Sequence, residues 1–159
     1  APSFIAGDLA ASQPVPNEYD AICAAINQII LASDEEFYPT FVLVNPTDKT
    51  KMKWLKSTQD GHYILPPFTA ANGMEISGVL VLPKTNIPSD QFLIGQFDLA
   101  VWRPYIPFMI ELGWENDDFR KNLITMRASS RSHFYIPDNC KAGFVYDSFS
   151  VVKAAIEKV

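Results

Sequence analysis

The sequence predicts an α+β domain, and three patterns along its 159 residues carry that reading. The first is an apolar stripe at three-and-four spacing, Tyr19, Ile22, Cys23, Ile26, Ile29 and Ile30, which reads as one face of an amphipathic helix. The second is a set of short apolar runs, 41–44, 76–82 and 91–95, bounded by Pro, Gly, Asn and Asp as buried strands are. The third is a long segment, 123–135, close to period two: Leu123, Thr125, Arg127, Ser129 and Arg131 on one face, Ile124, Met126 and Ala128 on the other. Helix and strand signals mixed in a chain of this size describe one α+β unit.

Residues 1–16 are rich in Ala, Ser and Pro and read as an extended leader. The helix that starts at Asn17 is stopped by Asp34-Glu35-Glu36 and Pro39. The strand at 41–44 then runs into Asn45, Pro46 and Asp48. Asn is a strong N-cap, Pro is pre-set for a first turn, and an acid there suits the helix dipole. That second helix is expected to end near Ser57, with a Gln59-Asp60-Gly61 turn leading back to extended chain at Tyr63 and Ile64. Two strands follow, 76–82 and 91–95, split by the Pro-bracketed PKTNIP segment at 83–88. Another extended run covers 108–112, and a short acidic turn or helix at 115–121 leads into the long segment. Thirteen or so extended residues exceed the common strand length of about five or six, so this strand needs partners along its length. A last strand is expected at 144–146, and the final eleven residues read equally as strand or as one or two helical turns.

Composition narrows the function classes. Hydrophobic residues make up 48% and aromatics 13%, enough for a packed core without disulfide staples. A chain of this size buries roughly 70% of its unfolded surface. Net charge is −5, which argues against a domain whose main work is gripping a nucleic-acid backbone. No apolar run approaches 18 residues, so no membrane helix is expected. Two cysteines cannot build a framework: Cys23 falls on the helix stripe and Cys140 in a late loop, and both read as free thiols.

Catalytic patterns are absent. His62 and His133 have no His, Cys or acid at ligand spacing, and there is no HExxH or CxxC. Ser129-Ser130 lacks a GxSxG elbow, and seven glycines supply no phosphate-cradling loop. The acidic clusters Asp34-Glu35-Glu36 and Glu115-Asp117-Asp118 read as solvated punctuation at helix ends. Lys49, Lys53 and Lys56, with Lys51 to the side, read as a solvated helix face. Arg120, Lys121, Arg127 and Arg131 form a second basic cluster, suited to subunit contacts and, less well for an acidic chain, to DNA.

The order of elements also carries a resemblance. FVLVNPTDKTKMKWLKSTQDGHYI (41–64), ISGVLVLP (76–83) and QFLIGQFD (91–98) resemble the axial domain of tailed-bacteriophage major capsid proteins. In that family a strand-NPxD-helix-DGRY unit precedes a "GLPV" strand and an "F-x-V-G-x-F" strand. NDDFRKNLITMRASSRSHFYIPDNCKAGFVYDSF (116–149) is similar to the family's acidic segment, "F-x-K-N", long Arg-bearing strand and "P-x-A" strand. The resemblance covers 17–149. It departs from the family at SGVLVL for the "GLPV" strand, at His62 for Arg, at Arg103-Pro104 for an Asp-Arg pair, and at Lys141-Ala142 for Pro-Thr-Ala.

The resemblance implies a mixed sheet flanked by helices over 17–114, an axial-type core. It assigns 115–159 to a long strand of peripheral-domain type that returns to the core. In the family that strand lies beside a spine helix, and a hairpin arm precedes the whole. Neither is visible in the sequence, so the chain reads as a piece from the C-terminal half of a larger subunit. The implied function is structural: copies pack in five- and six-fold rings of an icosahedral shell assembled in the bacterial host cytoplasm. Scaffold and portal proteins are further partners, DNA is enclosed without sequence-specific binding, and no enzyme activity, cofactor, metal or membrane is expected. Loops including 65–75 would approach the ring axis, and Arg120, Lys121, Arg127 and Arg131 would make assembly contacts. Some members weld subunits by an isopeptide bond between a Lys and the Asn of the "KN" position, helped by a Glu seven residues on. Here Lys121-Asn122 matches, but the helper position is Ser129, so non-covalent shells are expected. The alternatives are an encapsulin-type nanocompartment shell protein, a small acidic enzyme built on His62, Glu111 and Asp98, and a generic protein-binding module.

Overall fold

A computed structural model describes residues 1–56 and 74–158. The chain forms two compact units, Ala1–Leu99 with Asp138–Val159, and Ala100–Pro137. The expected boundary at 114–115 thus falls inside the second unit.

Helix α1 (Glu18–Ala32) starts where the sequence places it. Asn17 accepts from the backbone N–H groups of Tyr19 and Asp20, while the Asp20 carboxylate accepts from the Asn17 N–H, a reciprocal capping box. Its buried residues are Ala21, Ile22, Ala24, Ala25, Ile26 and Ile29. Cys23, expected on the apolar stripe, is instead exposed, with its Sγ 3.5 Å from Ser77 Oγ. The alanines explain the shift: Ala21, Ala24 and Ala25 are buried, so the inward face is centred on them and Cys23 falls outside it. Beyond Ala32 the backbone turns left-handed at Asp34 and Glu35, which ends the helix.

Strand β1 (Phe41–Val44) feeds α2 (Pro46–Lys53), capped by Asn45, whose side chain accepts from Thr47 N–H and donates to Ile87 C=O. The helix stops four residues before the expected Ser57. The Gln59-Asp60-Gly61 turn, His62, the extended pair Tyr63 and Ile64, and nearly all of the 65–75 loop lie outside the described residues. The strand expected at 76–82 is a hairpin: β2 (Met74–Ile76) and β3 (Val79–Pro83) joined by Ser77-Gly78, both at positive φ. Such a two-residue loop matches the right-handed twist of the strands. Strand β4 (Gln91–Gly95) agrees with its expectation.

The second unit holds β5 (Val101–Gly113), the short α3 (Asp118–Lys121) and β6 (Thr125–Tyr135). β5 is far longer than the run expected at 108–112 and absorbs Pro104 and Pro107. The chain returns to the first unit through β7 (Phe144–Ser148) and α4 (Phe149–Ile156). Ser148 caps α4 by accepting from Val151 N–H, so the ambiguous tail is a helix.

The five-stranded sheet runs β2-β3-β1-β4-β7, with β1 and β3 parallel and every other pair antiparallel. One face carries Val42, Val44, Val79, Val81, Phe92, Ile94 and Val145, all buried with residues of α1, α2 and α4. Phe92 and Phe149 meet with ring centroids 4.8 Å apart. Gly95 is needed where it stands, because a Cβ would lie 2.4 Å from the Phe144 ring and 2.7 Å from Gly143 O. The leader is strapped to the unit rather than free: Tyr146 N–H donates to Pro2 C=O, Phe4 N–H to the Asp147 carboxylate, and Lys158 N–H to Gln13 C=O.

Asp48 ties three elements of this unit together. It is 4% exposed and accepts from Lys51 Nζ at 2.9 Å, Ser89 Oγ at 3.2 Å and Asp90 N–H at 2.7 Å. Burial pushes its carboxyl up, but these hydrogen bonds and the Lys51 charge outweigh it and hold the group below its ordinary value. Asp90, at positive φ, passes the link on: its C=O accepts from Phe149 N–H and its carboxylate from Ser150 Oγ. The acid stands in the first turn of α2, as expected, and also clamps α2 to the segment before β4, which Asp90 in turn joins to α4.

Candidate assembly surface

The second unit is a two-stranded antiparallel ribbon. Its ends pair as Val101 with Tyr135 and Gly113 with Thr125, yet β5 has 13 residues and β6 has 11. Two register shifts take up the difference, between Pro104 and Ile106 and between Ile106 and Met109. Both sit at prolines, which lack the N–H a regular ladder needs, so bulges are the way β5 accommodates them.

Directly opposed residues share a face and successive residues alternate. The register therefore sorts the ribbon into two unlike faces. One bears Trp102, Pro104, Ile110 and Leu112 opposite Phe134, Ser132, Ala128 and Met126, with no ionisable group. The other bears Arg103, Ile106, Met109 and Glu111 opposite His133, Arg131, Ser129 and Arg127. On the first face Trp102 is 65% exposed, Leu112 67%, Met126 73% and Phe134 63%. No residue of either strand is buried.

On the charged face Arg127 Nε donates to Glu111 Oε2 at 3.0 Å, and Nη2 of the same guanidinium donates to that oxygen too. His133 stacks on Tyr135 with ring centroids 5.4 Å apart. Arg103 and Arg131 make no ion pair among the described residues. An open depression of about 730 Å³ lies beside Ile106, Glu111, Arg127, Ser129 and Arg131.

The turn of the ribbon is locally self-supporting. Trp114 and Phe119 meet edge to face at 6.0 Å. The Asp118 carboxylate accepts from Thr125 Oγ1 and Glu115 N–H, which holds its acid group below the ordinary range. Asn122 ends α3 in the left-handed region, φ 55°, where Asn is tolerated better than most residues.

The four residues singled out in the sequence thus divide. Arg127 and Arg131 share the charged face of β6, whereas Arg120 and Lys121 sit on α3, Arg120 within 3.9 Å of Asp117. Arg103, one strand across, shares the face with Arg127 and Arg131, which a sequence read strand by strand does not show because it lacks register. The lysine face of α2 also needs correction. Lys49 Nζ donates to Val81 C=O at 2.7 Å, and burial, then the Lys53 charge, pull its pKa down; Lys51 is bound to Asp48. Lys56 lies beyond the helix.

His62 lies outside the described residues, Glu111 is engaged with Arg127, and Asp98 and Glu111 belong to different units. Among the described residues no three His, Cys, Asp or Glu side chains cluster as a metal site.

Solved structures of similar fold are known. A solved structure from Mycobacterium phage Ogopogo superposes with a TM-score of 0.54 at 16% identity, over 81% of this chain and 48% of that one. The capsid of an empty GTA particle computed with C5 symmetry superposes with a TM-score of 0.60 at 17% identity, over 92% and 48% respectively. The chain thus spans about half the length of the structures it matches. Among curated proteins no significant match is found. The α+β fold with a mixed sheet is shared with these structures, and the sequence pattern of the phage capsid family matches residues 5–139. By that match, over most of its length, the chain belongs to the phage capsid family.

Proposed function

We propose that this chain builds the shell of a phage or prophage head, as part of a major capsid subunit that packs with its own copies in five- and six-fold rings. The observation that carries the reading is the ribbon. An isolated two-stranded hairpin is at best marginally stable in water, and this one leaves a whole apolar face uncovered. Covering each large side chain stabilises an assembly by about 1.5–3 kcal/mol before association costs. A ribbon so built suits a protein that works only among neighbours. In this reading the first unit is the axial-type body and the ribbon is of peripheral type. Arg120, Lys121, Arg127 and Arg131 make assembly contacts. The subunit is a virion structural protein without enzymatic work or cofactor, assembled in the host cytoplasm with scaffold and portal proteins around DNA it does not read. Repeated weak contacts around closed rings supply the stability.

Electron microscopy of particles made from the full-length gene with its neighbours tests this. Trp102→Asp with Met126→Asp should reduce shell yield at least about tenfold while circular dichroism stays unchanged. Shells at normal yield would contradict the reading. The shell should also be non-covalent, since Ser129, not a carboxylate, follows Asn122 by seven. Boiled particles should run as single subunits on a gel; a reductant-resistant ladder would show otherwise.

A further inference from the structure

The two units differ in the kind of cation they carry as well as in its balance. All four arginines of the chain, Arg103, Arg120, Arg127 and Arg131, fall within Ala100–Pro137, joined there by one lysine, Lys121, and opposed by four acids. The remaining residues carry eight lysines, no arginine and fourteen acids, a net charge of −6 against +1 for the ribbon unit. Arginine is the cation suited to buried contacts. Its planar guanidinium is weakly hydrated and meets a carboxylate with parallel N–H groups, whereas lysine is a strongly hydrated point charge. Arginine is enriched at protein interfaces and lysine is depleted there.

Three of the arginines share one face of the ribbon with a single acid, Glu111. Glu111 holds Arg127 in place and takes up its charge. Arg103 and Arg131 are left without an ion-pair partner among the described residues, and Arg131 borders the open depression with Ile106 and Ser129. We propose that this charged face docks on the acidic first unit of a second copy of the chain. The inference deepens the shell-building reading and rests on it, naming the partner surface of one face. Charge complementarity favours this partner: each copy carries both a basic face and a strongly acidic body, which gives a heterologous contact that repeats around a ring. A nucleic-acid backbone is the less favoured partner, because the chain as a whole is acidic and Glu111 already takes up the charge of Arg127, which leaves too few cations on the face to follow a phosphate backbone.

The test uses the full-length subunit in assembled shells. Arg103→Lys with Arg131→Lys is assembled from an equal mixture of ¹⁴N- and ¹⁵N-labelled protein and treated with a zero-length carbodiimide, which joins amines to carboxylates in contact. Mixed-isotope peptides should link Lys at 103 or 131 to acids of residues 1–99 or 138–159. In parallel, Arg103→Glu with Arg131→Glu should reduce shell yield at least about tenfold. Links confined to one copy or to 100–137, no links at all, or charge-reversed subunits that assemble normally would each overturn the proposal. So would charge-reversed shells that form normally but lose packaged DNA, which would assign the face to nucleic acid. If unaltered subunits form no shells, the shell-building reading fails instead, and the two failures stay distinct.

Discussion

The two units treat their apolar residues in opposite ways. The first packs Ile22, Val42, Phe92, Phe149 and Val152 into a core closed by three helices over one sheet face. The second holds Trp102, Ile110, Leu112, Met126 and Phe134 on strands with no buried position. The compact unit buries its apolar side chains within the chain, while those of the ribbon stay exposed. The difference is what the proposed shell-building role asks for, since an exposed apolar patch on a folded chain often marks an interaction surface.

Core truncation should sharpen that contrast most. Phe92→Ala removes a fully buried ring that packs on Phe149 and should cost about 3–5 kcal/mol in urea unfolding of the 159-residue chain. Phe134→Ala, on the apolar face of the ribbon, should stay within about 0.5 kcal/mol in the same measurement. A ribbon substitution as costly as the core one would break the comparison.

The Asp48 clamp gives the next effect. Asp48→Asn keeps the shape but removes the charge that accepts from Lys51, Ser89 and Asp90, and should cost about 1.5–3 kcal/mol near neutral pH. Because the folded-state pKa is depressed, Asp48 contributes its full stabilisation above the ordinary value near 3.8 and loses it as pH falls through the folded-state value. The gap between wild type and Asp48→Asn should hold from pH 7 to about 5 and shrink below about 4. A gap independent of pH would mean the carboxylate charge does not matter.

Smaller still is the turn of the ribbon. Asn122→Gly should leave local stability within a few tenths of a kcal/mol, whereas Asn122→Ala should cost about 1 kcal/mol for the left-handed backbone, read from amide exchange at the turn.

Much of the compact unit could be read directly. The capping box at Asn17, the Asn45-Pro46 helix start and the strands at 41–44 and 91–95 are local devices, and local chemistry is written in adjacent residues. Errors arose where tertiary packing decided. Cys23 lost the buried face to alanines, the Ser77-Gly78 turn was hidden inside an apolar run, and the tertiary role that Asp48 has beside its place in the first turn of α2 was hidden because Ser89 and Asp90 are 41 and 42 residues away. The length of β6 was legible from its period of two, but β5 was shortened by its prolines, which read as strand breakers until the bulges show how the ladder passes them. The ribbon's surface was half legible for the same reason. Arg127 and Arg131 lie on one strand at even spacing, while Arg103 joins them only through register.

Amide hydrogen exchange on free subunits and on assembled shells tests the central claim most directly. Amides of β1, β4 and β7 should be strongly protected in both states, while those of β5 and β6 should exchange within seconds to minutes in the free chain and become protected, by at least about a hundredfold, in the shell. A ribbon already protected like the core in the free chain, or one that remains unprotected in the shell, would contradict the account.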